Sequence, residues 1–168
     1  MYKIQWLGAQ IDMKNTTLKI KDGGSNEVSI KIGEGTLTYD ETRTMEYTLD
    51  RGALDTVREG DEVPMDVSFD FIWEFLTATS TSGAGVPTIE DALKQRGEAS
   101  GWVTTSADAC EPYAVDIEIV YTPTCGTEED ETILLPDFRW ETLAHDLSAG
   151  TVAVSGKCNA KEAIISRG

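Results

Sequence analysis

A chain of 168 residues is long enough to bury a core of its own, and 30 acidic against 14 Lys and Arg side chains leave this one with a formal net charge of −16. Such a surface repels phosphate and anionic lipid and gains nothing from counterion release, which excludes the basic nucleic-acid and membrane-surface binders. With 40% apolar residues, and neither a bilayer-length apolar run nor a long Pro, Gln or Ser tract, the chain reads as globular.

The first residues, MYKIQWLGAQIDMKNTT, contain no apolar h-region and no cleavage pattern, so no signal peptide is expected. Beyond them, period-2 alternation dominates and predicts strands. Short ones are expected around Leu18 and Ile20, around Val28, Ile30 and Ile32, and at Leu37 and Tyr39. Turns are expected at Asp22-Gly23-Gly24, Gly33-Glu34-Gly35, Glu59-Gly60-Asp61 and Ala149-Gly150. The segment Asp40 to Glu62 is dense in charge and reads as a hairpin arm near 40–62. Its apolar residues Met45, Tyr47, Leu49, Leu54 and Val57 are more than a lone hairpin can bury.

Met65 to Leu76 alternates most clearly. Met65, Val67, Phe69, Phe71, Trp73 and Phe75 share one face, opposite Asp66, Ser68, Asp70, Ile72, Glu74 and Leu76. An aromatic stripe at strand spacing could be a ligand platform but is far more often core. Thr77 to Gly85 is a small-residue loop. One helix is expected at about residues 88–96, capped by Thr88, with Glu90 and Asp91 in its first turn and Gly97 as a left-handed stop. Tyr113 to Tyr121 repeats the strand pattern, with Asp116 and Glu118 on the polar face. Ile133 and Leu135, then Val152 and Val154, mark further strands. The fold class is therefore mainly β, an antiparallel sandwich or barrel with one flanking α-helix.

Little in the chain suggests catalysis. His145 is the sole histidine, sits in a polar stretch, and reads as a surface or turn residue; there is no Gly-x-Ser-x-Gly elbow. Cys110, Cys125 and Cys158 lack zinc-ribbon spacing and are expected as free thiols, with a Cys110–Cys125 bridge left open. The run Glu128-Glu129-Asp130-Glu131 lacks the spacing of a calcium loop, and no phosphate-binding loop with its Lys occurs. No catalytic set, metal, cofactor or small-molecule substrate is expected. A glycosidase-type carboxylate pair cannot be judged by counting among 30 acids.

One long block goes further. Gly33-Glu34-Gly35-Thr36-Leu37-Thr38-Tyr39 leads through Tyr47-Thr48-Leu49-Asp50-Arg51-Gly52-Ala53-Leu54-Asp55. Val57-Arg58-Glu59-Gly60-Asp61-Glu62-Val63-Pro64 and Asp66-Val67-Ser68-Phe69-Asp70-Phe71 follow. This block resembles the major tail, or tail tube, proteins of long-tailed phages. So do Ile89-Glu90-Asp91-Ala92-Leu93, Cys110-Glu111-Pro112-Tyr113-Ala114-Val115-Asp116, Pro136-Asp137-Phe138-Arg139-Trp140-Glu141 and Val154-Ser155-Gly156-Lys157-Cys158-Asn159-Ala160, so the resemblance spans roughly residues 27 to 163.

The resemblance implies one tail-tube-like domain over 1–168, a sandwich or barrel with one helix. Its copies would stack as rings, typically of six, into a conduit for DNA. Partners would be the chain itself and other tail proteins, DNA would pass without specific binding, and the product would be a virion tail built in the host bacterial cytoplasm. Within the tube, Asp66, Asp70, Glu74, Asp116 and Glu118 are candidate lumen-facing acids if their two strands share the inner sheet. Met45, Tyr47, Leu49, Leu54 and Val57 are the candidate inter-ring arm. Rival readings are a secreted carbohydrate-binding or adhesion sandwich, a small hydrolase using two carboxylates, a contractile injection-system tube and a tail terminator.

Overall fold

A computed structural model describes residues 13–30, 36–72, 87–123 and 129–168. In chain order they form β1 (Thr16–Lys21), β2 (Glu27–Ser29), β3 (Leu37–Asp40), β4 (Arg43–Asp50), β5 (Ala53–Glu62), β6 (Met65–Ile72), α1 (Ile89–Lys94), β7 (Val115–Tyr121), β8 (Glu131–Asp146), β9 (Thr151–Cys158) and β10 (Ile164–Arg167). All pairings are antiparallel, and the main sheet runs β2-β1-β7-β8-β9-β6-β3, with β10 added on β8.

β8 turns this sheet into a sandwich. Its first half, Glu131 to Phe138, pairs with β7, and its second half, Phe138 to Asp146, pairs with β9. β10 takes the other edge of the first half, at Glu131 to Leu134. One layer is thus β2-β1-β7 with the start of β8 and β10, and the other is the end of β8 with β9, β6 and β3. Pro136 has no N–H to give a ladder. Asp137 takes φ +51, and the register slips again between Trp140 and Thr142, so the strand bends where it changes layer. Phe138 is the pivot: it opposes Val115 on β7 and Cys158 on β9, is almost fully buried, and packs against Phe69 of β6 with the rings tilted by 53° and their centres 6.1 Å apart.

The alternation expected in β6 and β7 is what fills the space between the layers. Met65, Val67, Phe69 and Phe71 are buried, as are Val115, Ile117 and Ile119, and they join Leu18, Ile20, Leu135, Val152 and Val154 in one cluster. Each such side chain stabilises the fold by about 1.5–3 kcal/mol on burial. The mainly β, sandwich-type class with one helix holds, and the sheet path is not closed into a barrel.

α1 packs Ile89, Ala92 and Leu93 into the same core. The Thr88 hydroxyl accepts the Asp91 N–H at 3.1 Å, as a cap should. The left-handed stop expected at Gly97 falls on Gln95, φ +54; Gly97, φ +57, instead opens a short 3₁₀ turn, Gly97–Ala99. Gln95 accommodates the stop because its side chain donates to the Trp102 carbonyl at 2.6 Å.

Two further expectations need correction. Glu59-Gly60-Asp61 is not a turn but lies inside β5. Gly60 stands opposite Thr44 at a register shift, where a Cβ would come within 2.7 Å of the Thr44 hydroxyl. The reversal is at Arg51-Gly52, φ +54 and +83, a two-residue hairpin loop whose positive φ angles match strand twist. β7 begins at Val115, not Tyr113. Gly33-Glu34-Gly35, Ile32, Trp73, Glu74, Phe75 and Leu76, the 77–85 loop and Cys125 lie outside the described residues.

Candidate assembly surfaces

The expected arm is a two-stranded ribbon, β4 paired with β5, that pairs with no other strand. It leaves the body between β3 and β6, which are themselves paired from Leu37 opposite Phe69 to Asp40 opposite Asp66. The ribbon has two unlike faces. On one, Tyr47 opposes Val57 and Leu49 opposes Leu54, with Met45 beside them. On the other, Arg58 is salt-bridged to Glu46, and the Thr48 and Thr56 hydroxyls bond each other. Exposures of 64% for Tyr47, 63% for Leu49, 77% for Leu54 and 57% for Val57 show that nothing among the described residues covers the apolar face. Only Met45 is partly shielded.

The five acids proposed as one wall are divided by the fold. Asp66 and Asp70 stand on the outer face of the β3-β6-β9 layer, Asp116 and Glu118 on the outer face of the β1-β7 layer, and Glu74 lies outside the described residues. β6 and β7 belong to one continuous sheet, with β9 and β8 between them, and the sheet folds at β8.

The two pairs also differ in chemistry. Glu118 is tied to Lys21 at 2.7 Å. Asp116 is half-buried and accepts the Asp137 N–H at 3.0 Å; burial, and then the charge of Asp137, push its carboxyl above the usual range. Both serve the fold. Asp66 meets Lys157 at 2.5 Å. Asp70 lies over a shallow groove of about 260 Å3 lined mostly by small residues, Thr36, Ser68, Thr142, Ala144, Ala153 and Ser155, with Phe69 and Val154 beside them. A neighbouring groove of about 280 Å3 adds Asp40 and Glu141 to the same face. In the sequence Asp40 counts among the arm's charges and Glu141 is not marked as a wall residue, since neither lies on the most regularly alternating strands.

His145 is a surface residue, as expected, though on β8 and not in a turn, and its Nε2 stands 3.3 Å from Glu90 of α1. Glu90 also receives Lys94 at 2.8 Å and Arg96 at 3.0 Å. Burial alone would raise its pKa, but hydrogen bonds from Lys94 and His145 hold the carboxyl below its ordinary value. This cluster fastens the helix to the sheet. Cys158 is buried, and desolvation pushes its thiol up to about 12, so it is an inert core residue; Cys110 is an exposed thiol.

No family model matches the sequence, and no curated protein does. Solved structures match over nearly the whole chain. The sheath/tube terminator of PVC, an extracellular contractile injection system in the extended state, is 12% identical, over 96% of this chain and 99% of that one, with a TM-score of 0.55. A chain of the PVC sheath–tube complex in the extended state is 13% identical, over 96% and 95%, with a TM-score of 0.54. At such identities the likeness is one of fold, and it extends over the full length of both partners.

Proposed function

We propose that this chain is a non-enzymatic structural subunit of a tail-type tube, one domain whose copies close into rings and whose rings stack through the β4–β5 arm. The observation that carries the reading is the arm itself. A ribbon with Tyr47, Leu49, Leu54 and Val57 exposed on one face gains by burying that face against another surface. The likeness to tube-complex and terminator structures gives the same fold a setting in which copies assemble. Rings of six and a conduit for DNA are the form this takes if the particle is a phage tail built in a bacterial cytoplasm. The lumen wall is then the outer face of β3, β6, β9 and the end of β8, where Asp40, Asp66, Asp70 and Glu141 outnumber Lys157 and its cross-strand neighbour Arg139.

A second reading is a terminator that caps a tube as one ring. The match to a sheath/tube terminator, at a TM-score of 0.55, supports it as well as the match to the tube complex, at 0.54, supports elongation. Electron microscopy of the purified protein across a concentration series separates the readings. Long hollow tubes support the first and single rings the second; a monomer at every concentration, alone and with tail extracts, sinks both.

A further inference from the structure

The arm joins the body through two short links, Glu41-Thr42 and Val63-Pro64. The loop between β9 and β10, residues 159–163, lies against this root. Its Ala163 N–H donates to Glu41 Oε1 at 3.1 Å, and its Lys161 Nζ stands 3.4 Å from Glu62 Oε1. The loop is in turn fixed to the body. The Met65 N–H donates to the Ala160 carbonyl at 2.9 Å, and the Asn159 N–H donates to the Asp137 carbonyl at 3.2 Å.

Between loop and arm root runs a crevice of about 370 Å3. Its lining includes carboxylates from both sides: Glu59, Asp61 and Glu62 from the arm, Glu41 and Glu162 from the links and loop. Only Arg43 and Lys161 oppose them. Like charges across the crevice push the arm away from the body, while the Lys161–Glu62 and Ala163–Glu41 contacts pull it in.

We infer that the 159–163 loop is a two-point latch that sets the angle of the arm, and that the arm is a stiff ribbon on a hinge that swings when the latch is released. The ribbon is stiff because its backbone ladder runs from Arg43 opposite Glu62 to Asp50 opposite Ala53, and the Thr44 hydroxyl adds a bond to the Asp61 carbonyl at 2.7 Å. Its latch contacts are exposed and therefore individually weak. A weak latch suits an element with two orientations, since a surface that binds one orientation better can shift the balance. The inference goes beyond the proposed assembly role and concerns the isolated chain, so it stands or falls independently of tube formation.

Residual dipolar couplings of the ¹⁵N-labelled protein, at a dilution where it is monomeric, test it. In the unsubstituted chain, residues 43–62 and strands β6 and β9 share one alignment tensor. In Glu41→Ala/Lys161→Ala the arm takes a separate, weaker tensor while couplings in β6 and β9 stay as they were. Glu41→Gln, which keeps an acceptor for the Ala163 N–H, retains the shared tensor. A double variant whose arm still aligns with the body at full strength, or an unsubstituted chain whose arm is already independent, overturns the latch. Lys161→Ala alone, a change at an exposed side chain, gives the same readout with reduced arm alignment should the double variant fail to fold.

Discussion

Tyr47 on β4 lies directly across from Val57 on β5, and both side chains are more than half exposed. A cross-strand pair of this kind usually contributes about 0.2–1 kcal/mol by packing. Among the described residues the pair packs only against its own ribbon. An isolated two-stranded ribbon is marginal in water, and nothing among the described residues covers this face.

Replacing Leu49 and Leu54 with Thr, which removes the apolar pair without setting like charges opposite each other, should cost the monomer no more than about 1 kcal/mol, because neither side chain is in the core. Assembly should fail. Deleting Glu46 to Val57 should act alike. Urea unfolding monitored by tryptophan fluorescence, together with electron microscopy of the same samples, checks both halves. Normal tubes from either variant would remove the arm from the assembly mechanism.

The bend in β8 gives a second test. A Cβ on Gly156 would sit 2.2 Å from the Arg139 carbonyl and 2.9 Å from the Phe138 ring. Backbone at that distance cannot yield cheaply, so Gly156→Ala should cost about 1–3 kcal/mol or more. Gly101, where an added methyl would meet nothing within 4 Å, should accept Ala with little change. Phe138→Ala, which removes the pivot ring, should cost about 3–5 kcal/mol. Shifts in the denaturation midpoint at constant slope measure all three.

The strands that alternate without interruption were legible in the sequence. β6 and β7 bury the residues that their period-2 patterns mark, and the helix begins at its Thr88 cap. The charged arm was legible too, because apolar residues at Met45, Tyr47 and Leu49 recur in a segment with no other core signal. What escaped has physical causes. β8 runs on to Asp146, but Pro136-Asp137 and the slip at Trp140 break its period. β10 is exposed throughout and so has no buried face to produce a pattern. Gly60 looks like a turn because glycine marks bulges and turns alike. The division of the acids between two layers depends on which strands pair, and alternation tells which face a residue takes, not which sheet.

Asp116 carries a pH dependence that can be assigned in sign. Its folded pKa lies above the ordinary value, chiefly because burial disfavours the charge and then because Asp137 is near. Between the ordinary and the raised pKa the folded state holds more proton than the unfolded one. Stability then falls as pH rises through that window and stays reduced above it. Asp116→Asn, which keeps an acceptor for the Asp137 N–H, should therefore be more stable than the unsubstituted chain at neutral pH. The advantage should shrink as pH falls through the raised pKa and vanish below the ordinary one. Chemical denaturation of both chains from neutral to acid pH checks this; a constant difference across the range would show that Asp116 is not the group responsible.

The last test concerns the outer face of β6 and β9. If that face lines a conduit, its chemistry explains itself: Thr36, Ser68, Thr142, Ala153 and Ser155 give a smooth wall, and carboxylates keep polyanions off it. Duplex DNA carries about one negative charge per 1.7 Å of axis, so each exposed cation on the wall is a point of attachment. The repulsion reaches only about 8 Å at physiological salt, enough in a channel little wider than its cargo. Asp70, itself partly buried, is the better residue to reverse, because Asp66 is already engaged with Lys157 and Asp116 accepts the Asp137 N–H where β8 bends. Asp70→Lys changes the wall by two charges per copy, in every ring. Tubes of this variant should form normally yet retain short duplex DNA at low salt and release it as salt rises, whereas tubes of the unsubstituted chain should retain none at either salt. Co-sedimentation of labelled duplex with assembled tubes measures the difference. Equal, negligible retention by both would mean that Asp70 faces away from the cargo, and retention by the unsubstituted tubes would mean that the wall itself is not acidic.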